Sequence, residues 1–318
     1  MPPTFRVRRR ARPSSTPRVV VLGDLMVDVV LSPGRPLEVG TDVPGRVGLR
    51  QGGSAANTAR WLARLGVRTT LVCAVGRDPE GRALTAALER DGVRLRATRV
   101  ARERTGRIGV LVAPNGERSF VADRGAADRL APGNLSAHVF AVDLVHLPVY
   151  SLLGDPLGAA GLRAIELARA GGALVSLDLS SVGPLLAHGR RAALRLVGEA
   201  APDLLFATTV EAEALVGNRH VARLTDVARL VVIKRGRAGA SVFDAADDGR
   251  LAFHVATAAL DTTDTTGAGD AFDAGFIATW LAAASGTRHR PATLRRAVLA
   301  AHRAAARQLT STPRELAL

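Results

Sequence analysis

The stretch TTDTTGAGDAFDAG, residues 262–275, places two glycines and a carboxylate at the start of a predicted helix. Gly267 and Gly269 let the backbone turn tightly and present its N–H groups. These groups lie at the positive end of a helix dipole, so the main chain alone forms an anion site. Asp270 adds a negative side chain beside that site. The stretch therefore predicts an anion site with an acidic neighbour, whose role depends on the rest of the chain.

Polar residues also follow other predicted strands, and ligands of a doubly wound sheet bind at the carboxyl ends of its strands. Asp24 and Asp28 lie in GDLMVD, where an aspartate either accepts hydrogen bonds from substrate hydroxyls or is a solvated turn residue. The stretch QGGSAAN, residues 51–57, opens a helix, and its glycines fit close approach to a ligand or ordinary packing. The stretch KRGRAG, residues 234–239, fits a turn beside a nucleotide or a simple hairpin.

Short apolar strands alternate with helical stretches over most of the chain. We interpret RVVVLGDLMVDVVL as one buried strand ending in a turn, and further strands as VRTTLVCAVG, DLVHLPV, ALVSLDLS, PDLLFAT and ARLVVIKRG. Helices such as NTARWLARLG lie between them, and this alternation produces right-handed crossovers between parallel strands. We therefore predict an α/β fold with a doubly wound, mostly parallel sheet, as a single domain over residues 18–318.

Two segments, residues 34–51 and 93–124, alternate polar and apolar residues instead. Asn115-Gly116 lies between IGVLVAP and ERSFVAD, and this dipeptide is a strong signal for a β-hairpin. We predict that both segments form a small antiparallel sheet beside the ligand crevice, where it would act as a lid.

Composition argues against several classes of function. The net charge is +14, but only Lys234 among the 43 basic residues is a lysine and the arginines are widely spread, so we predict no specific nucleic-acid partner. No apolar run approaches the roughly 20 residues of a membrane span. The single cysteine, Cys73, indicates a reducing compartment, and we expect a cytoplasmic protein. Residues 1–17 are expected to be a disordered basic tail.

Several catalytic motifs are missing from the sequence. There is no GxxxxGK[ST] phosphate loop and no GxGxxG after the first strand, which argues against P-loop and dinucleotide enzymes. The seven histidines lack the spacing of zinc ligands, and there is no GxSxG hydrolase elbow.

The stretches GGSAANTARWLARLG and DTTGAGDAFDAGF together resemble the two signatures of the ribokinase family, also called the phosphofructokinase-B family of carbohydrate kinases. GDLMVD, GERSFVADRGAADRL and VVIKRGRAG resemble the blocks between those signatures. The resemblance covers about residues 18–312. It implies a ribokinase-like fold, ATP as the phosphoryl donor, Mg²⁺ as its companion ion and a sugar or nucleoside as the acceptor.

The resemblance also implies roles for individual residues. Asp270 matches the catalytic base that takes a proton from the acceptor hydroxyl, and the anion hole for the transferred phosphate matches Gly267, Ala268 and Gly269. Residues that match the sugar pocket are Asp28, Gly53, Ser54 and Asn57. Residues that match the ATP side are Lys234, Gly236, Gly239 and Thr266. Glu211 matches a magnesium site reached through water, and Asp264 lies where many members hold a monovalent cation such as K⁺ nearby.

Three positions depart from the family pattern. Thr208 in FATTVEAEAL stands where the family usually has the asparagine of an Asn-x-x-Glu motif, so we expect magnesium dependence with an altered site. Pro148 stands where ribose-specific members have a glutamate, so strict ribose specificity is not expected. The stretch AARQLTSTPRE lacks a glycine often found near the potassium site.

The leading hypothesis is an ATP-dependent kinase that phosphorylates a hydroxyl of a sugar. The alternatives are a nucleoside kinase of the same fold and a non-catalytic relative that binds a sugar or a nucleotide. Nucleosides are usually held by stacking on aromatic rings, and only Phe120 and Tyr150 fall where a pocket is expected, which favours a sugar. A homodimer through the lid is expected by analogy with relatives.

Overall fold

The strands and helices were assigned in a computed structural model that describes residues 16–113, 118–218, 220–245, 251–258, 260, 264–312 and 315–317. The strands in this part of the chain are β1 Arg18–Leu22, β2 Met26–Pro33, β3 Gly45–Gly52, β4 Arg68–Gly76, β5 Arg94–Val100, β6 Arg107–Val112, β7 Arg118–Asp123, β8 Leu144–Pro148, β9 Leu174–Asp178, β10 Leu204–Thr208, β11 Leu230–Lys234, β12 Ala240–Asp244 and β13 Leu251–Val255. The α-helices are α1 Ser54–Arg64, α2 Pro79–Arg90, α3 Leu157–Ala170, α4 Val182–Leu185, α5 Arg190–Ala200, α6 Thr209–Val216, α7 Ala268–Ala282 and α8 Pro291–Thr310.

The main sheet of the described chain has nine strands in the order β13-β12-β11-β10-β9-β8-β1-β4-β5. The strands from β5 across to β11 pair in parallel, and β12 and β13 close one edge as antiparallel strands. The predicted α/β class and the mostly parallel sheet are confirmed.

Helices cover both faces of this sheet because its strands are apolar on both sides. Val19 and Val21 of β1 belong to the core beneath α1, α7 and α8, whereas Val20 and Leu22 belong to the core beneath α3, α5 and α6. All four side chains are essentially inaccessible to solvent. Because both faces of these strands are buried, their sequences are continuous runs of Val and Leu. A half-exposed sheet would instead show alternating polar and apolar residues.

The interpretation of RVVVLGDLMVDVVL as one strand is wrong. The chain leaves the main sheet after Leu22 and continues as β2 in a second, smaller sheet. The break lies at Asp24, whose carboxylate accepts the backbone N–H of Ala55 at 3.0 Å and whose carbonyl accepts that of Ala56. The start of α1 therefore docks between the two strands, and β2 is directed away from β1.

The smaller sheet has four strands in the order β3-β2-β6-β7 within the described chain. This sheet includes β2 in addition to strands from the two predicted segments, and it does not include β5. It is not purely antiparallel as predicted, because β2 and β6 pair in parallel. Residues 94–100, which we assigned to the small sheet, pair in parallel with β4 at the edge of the main sheet. The alternation of polar and apolar residues in this segment did not distinguish the two sheets, because an edge strand of the main sheet that is covered on one side shows the same pattern.

Two predictions from the sequence lie outside the described residues. They are the disordered tail, apart from its last two residues, and the Asn115-Gly116 turn, although β6 and β7 on either side of that turn pair antiparallel as a hairpin requires. None of the helices in the described part of the chain combines the length and apolarity needed to cross a bilayer.

Candidate active site

Helix α7 begins in the glycine-rich turn that the sequence singled out. Gly267 is its N-cap residue and has φ 71°, in the left-handed region that favours glycine. The N–H of Ala268 is used inside the turn, donating to the carbonyl of Thr265 at 3.2 Å. The N–H groups of Gly269 and Asp270 have no acceptor among the described residues, as expected for the first turn of a helix. The first turn of α7 is therefore able to bind an anion.

The Asp270 carboxylate is held by two residues of α1. Ser54 Oγ donates to its Oδ1 at 2.7 Å, and Asn57 Nδ2 donates to its Oδ2 at 3.0 Å. Arg60 Nη1 donates to Asn57 Oδ1 at 3.0 Å, which fixes the orientation of the Asn57 amide. Burial raises the pKa of Asp270 to about 6, against the opposing effect of the two hydrogen bonds. A carboxylate with this pKa is a competent proton acceptor near neutral pH.

Asp28 lies on β2 of the small sheet, close enough to Asp270 for the two carboxylates to repel each other. A Cβ at Gly52 would lie only 1.9 Å from Asp28 Oδ1, so the glycine opposite leaves the space that this carboxylate occupies. Burial, followed by repulsion from Asp24 and then Asp270, raises the pKa of Asp28 to about 7. Asp24, Asp28 and Asp270 thus lie close together at the N-terminal end of α1. Carboxylate oxygens such as those of Asp28 and Asp270 are able to accept hydrogen bonds from a polyhydroxy ligand.

Lys234, the last residue of β11, lies between two buried carboxylates. Its Nζ donates to Asp178 Oδ1 at 2.9 Å and approaches both oxygens of Asp273 at 3.2 Å. Burial alone would lower the pKa of the ammonium group, but Asp178 and then Asp273 raise it above its usual value. Nζ also lies 3.5 Å from the point that a Cβ on Gly269 would occupy. A fixed positive charge therefore stands beside the first turn of α7.

Thr208 and Glu211 form a capping box at the start of α6. Thr208 Oγ1 accepts the Glu211 N–H at 3.3 Å, and Glu211 Oε2 accepts the Thr208 N–H at 2.7 Å. The threonine that departs from the family asparagine is therefore a helix N-cap in this protein. Burial and then repulsion from Asp178 raise the pKa of Glu211.

The residues around Glu211 fit a magnesium ion that binds through water. Glu211 keeps Oε1 outside the capping box and faces Asp178, and carboxylate oxygens are the ligands that Mg²⁺ prefers. No group of three or more His, Cys, Asp or Glu side chains among the described residues is arranged to hold a metal ion. An ion here would therefore keep several waters and bind mainly through substrate phosphates, as Mg²⁺ usually does.

A cavity of about 590 Å³ borders the first turn of α7. Its walls come from the start of α6, the turn after β11, and helices α7 and α8. The predicted residues Lys234, Gly236, Gly239, Ala268 and Gly269 all line it. The turn KRGRAG also connects the antiparallel strands β11 and β12. The two interpretations of this stretch, a turn beside a nucleotide and a simple hairpin, are therefore compatible.

Two predicted site residues have other roles in the fold. Thr266 is absent from the cavity wall, where its neighbour Thr265 takes part, and its carbonyl accepts Gln308 Nε2 at 3.0 Å. Asp264 lies before the anion turn, and its carboxylate forms ion pairs with Arg50 and Arg118 of the small sheet.

The sequence analysis missed four residues of this region, which are Asp178, Asp273, Arg50 and Arg118. Asp178 ends strand β9, so the rule that ligands gather at carboxyl ends of strands pointed to it. Asp273 is three residues after Asp270 and lies beside the same helix face. The two arginines carried no local signal, because many arginines of similar context occur along the chain.

Comparisons with known proteins show the family and the fold of this chain. Residues 16–313 match the pfkB family carbohydrate kinase. The ATP-dependent ribose-1-phosphate kinase of Halopiger xanaduensis is 34% identical over 277 residues, which cover 83% of this chain and 85% of that relative. The solved structure of adenosine kinase from Sinorhizobium meliloti has a TM-score of 0.80 at 24% identity, covering 95% of this chain and 97% of that one. Fructokinase from Vibrio cholerae O395, solved with fructose, ADP and calcium, has a TM-score of 0.76 at 23% identity, covering 94% and 95%.

Proposed function

Because the chain belongs to the pfkB family of carbohydrate kinases and is therefore an ATP-using phosphotransferase, we propose that it transfers the γ-phosphate of ATP to a hydroxyl of a sugar. Asp270 acts as the general base, and the turn from Gly267 to Gly269 acts as the anion hole. Asp28, Gly53, Ser54 and Asn57 form the acceptor side, and the cavity that reaches Lys234, Gly236 and Gly239 receives ATP. Thr266 supports the turn through its backbone.

The position of Asp270 carries this proposal. Its carboxylate is bound on one side by Ser54 and Asn57, and Gly269 next to it in the chain lines the 590 Å³ cavity. A hydroxyl that enters from the acceptor side and a phosphate that enters from the cavity would therefore meet at one turn of helix. Phosphoryl transfer requires the two reactants to be brought together in line, and a shared turn between them is compatible with that requirement.

The chemistry follows from this arrangement. Asp270 accepts the proton of the acceptor hydroxyl while the oxygen of that hydroxyl forms a bond to the γ-phosphorus. The bond between that phosphorus and the β,γ-bridging oxygen breaks, and the electron pair leaves with ADP. Charge on the transferred group is stabilised by the N–H groups of the first turn of α7 and by the Lys234 ammonium.

Magnesium would enter with the nucleotide. When bound, it would neutralise part of the negative charge of the phosphates. Glu211 and Asp178 would orient its water ligands, while Thr208 keeps Glu211 in place through the capping box. Catalysis is accordingly expected to need Mg²⁺.

A screen of acceptors tests the proposed function. ATP consumption is measured on pentoses, hexoses including fructose, sugar phosphates including ribose-1-phosphate, and nucleosides including adenosine, with and without Mg²⁺. A sugar phosphate is the second candidate acceptor, supported by the 34% identity to a ribose-1-phosphate kinase. Turnover on nucleosides alone would favour a nucleoside kinase, and binding without turnover on any acceptor would favour a non-catalytic relative.

The pH dependence of turnover is expected to report two carboxyl groups. Below its pKa of about 6 Asp270 is protonated and no longer accepts the hydroxyl proton, and below its pKa of about 7 Asp28 loses its negative charge toward the acceptor. The value of kcat/KM for the acceptor should therefore be constant above about pH 8 and fall with a slope approaching two below about pH 6. Asp28→Asn should leave one ionisation near pH 6, and a variant profile that keeps both ionisations would contradict the assignment.

The small sheet would act as the lid of this site, because its strand β2 carries Asp28, whose carboxylate lies close enough to Asp270 to be repelled by it. Its opposite face exposes apolar side chains on paired strands: Leu31 faces Val47 in register, and Val121 lies on the same face. A second copy of the chain would cover these residues, which gives the expected homodimer through the lid.

Buried, reduced Cys73 supports a cytoplasmic location.

A double substitution on the outer face of the lid tests the dimer. Val47→Glu with Val121→Glu places one charge on β3 and one on β7 in an apolar interface. The double substitution should convert the dimer to a monomer, measured by sedimentation velocity. Leu299→Glu, an exposed apolar position on α8, serves as the control and should leave the dimer intact. A wild-type protein that sediments as a monomer at high concentration would refute the proposal.

A further inference from the structure

Asp264 is the residue beside which the family resemblance led us to expect a monovalent cation, and nitrogen donors occupy its carboxylate. Oδ1 accepts Arg118 Nη2 at 2.7 Å and the Thr266 backbone N–H at 3.0 Å. Oδ2 accepts Arg50 Nη1 at 3.1 Å. A carboxylate offers about four lone-pair sites, so these three contacts use most of them.

Both arginines come from the small sheet. Arg50 lies on β3, directly opposite Asp28 in the β2–β3 register, and Arg118 is the first residue of β7. The Arg118 side chain is only 10% exposed, so its guanidinium is held against the protein. Asp264 lies three residues before Gly267, the N-cap of α7. The ion pairs therefore join the lid to the loop that leads into the anion hole.

The charges at this point do not fit an added cation. Burial alone would raise the pKa of Asp264, but the hydrogen bonds from Thr266, followed by the charges of Arg118 and Arg50, lower it below its usual value. The carboxylate is therefore ionised in the working pH range, and two guanidinium groups already neutralise it. A guanidinium does not lose its proton under these conditions. A third positive charge at the same oxygens would meet like-charge repulsion instead of free oxygen ligands.

We infer that Arg50 and Arg118 take the place of the monovalent cation at Asp264 and fix the lid to the anion-hole loop, so that turnover does not depend on potassium. Both arginines are positioning residues that act through Asp264 and the turn behind it. The inference rests on the proposed kinase function, because the loop matters for rate only if the first turn of α7 binds the transferred phosphate.

The first test compares kcat of the wild-type protein in chlorides of potassium, sodium and tetramethylammonium at equal ionic strength. Assays contain saturating ATP, Mg²⁺ and an acceptor identified in the screen. We expect the three values to agree within about twofold, because the positive charge is supplied by the protein. Activation by potassium of more than about fivefold over tetramethylammonium would overturn the inference.

The second test removes the two charges. Arg50→Gln with Arg118→Gln should lower kcat about tenfold and change KM for ATP less than about twofold, since the loop is displaced while the cavity is intact. Arg50→Lys with Arg118→Lys retains the charges and should recover most of the rate. Arg46→Gln is the matched control, because Arg46 lies on the same strand and is exposed to solvent. A glutamine double variant with wild-type kcat would contradict the positioning role.

The third test does not use activity. Thermal unfolding of the wild-type protein is measured in the same three salts, and we expect midpoints within about 1 °C, because an ion that does not bind the folded state does not stabilise it. The glutamine double variant should unfold at a higher temperature in potassium than in tetramethylammonium, because the two guanidinium charges then no longer repel a cation from the Asp264 carboxylate. A wild-type midpoint that rises by more than about 2 °C in potassium alone would overturn the inference even if no acceptor were found. Single Arg118→Gln replaces the double variant if the latter does not fold.

Discussion

Asp270→Asn is expected to lower kcat by about three orders of magnitude while ATP still binds with near-normal affinity. The substitution removes the proton acceptor and keeps the shape of the side chain. Ser54 remains able to donate to the asparagine oxygen, and only the contact from Asn57 is lost. Losing that contact costs stability, but the variant no longer buries a charge, so the free energy of unfolding should change by less than about 1 kcal/mol.

The measurements are steady-state kinetics with the best acceptor, calorimetric titration with a non-hydrolysable ATP analogue, and urea unfolding. Glu166→Gln is the control for loss of a carboxylate, because Glu166 is an exposed partner of Arg163 on α3 and should have no effect on any of the three. Near-normal kcat in Asp270→Asn would refute the assignment of the base. Loss of both turnover and ATP binding would instead indicate a damaged α7 start.

The start of α7 and the opening of α1 were predictable because their signals are local. Glycine before a helix and a polar residue in its first turn are properties of a few consecutive residues, and the structure places Gly267 and Ser54 accordingly. The alternation of buried strands and helices was equally readable, since each strand carries its own apolar run.

The contacts that join distant segments were not predictable in this way. Arg50 and Asp264 are 214 residues apart in the chain, and Arg118 and Asp264 are 146 apart. One arginine among many in a chain of this composition has no distinguishing local pattern, so its partner appears only when the two sheets are assembled. The exit of β2 from the main sheet was missed for the same reason, because it depends on α1 docking at Asp24.

Thr208 belongs to a local pattern that the sequence analysis compared only with the family motif and not with a helix cap. We treated it as a departure from an Asn-x-x-Glu motif, yet a threonine followed three residues later by glutamate is also the pattern of a capping box. The structure contains that capping box. The capping box and the proposed site for magnesium-bound water would thus share these two residues, and the threonine in place of the asparagine retains the helix start.

Lys234→Met is expected to destabilise the fold and to slow catalysis together. Asp178 and Asp273 are buried and share the Lys234 ammonium, so its removal leaves carboxylates without a counter-charge in the core. Breaking a buried pair in this way usually costs about 3–5 kcal/mol of unfolding free energy. The rate should fall about a hundredfold as well, because the substitution removes the positive charge beside Gly269 that we propose stabilises the transferred phosphate.

A second substitution separates the two effects. Lys234→Met with Asp273→Leu removes one of the unpaired carboxylates and should recover more than half of the lost stability in urea unfolding, since an apolar pair of similar volume often replaces a buried ion pair without cost. It should not recover kcat, because no positive charge returns to the first turn of α7. If kcat rises in parallel with stability, Lys234 acts only through the fold, and its role in stabilising the transferred phosphate is refuted. If stability stays low, Asp178 is the carboxylate that most needs the lysine, and Lys234→Met with Asp178→Leu should then recover it, again without restoring the rate.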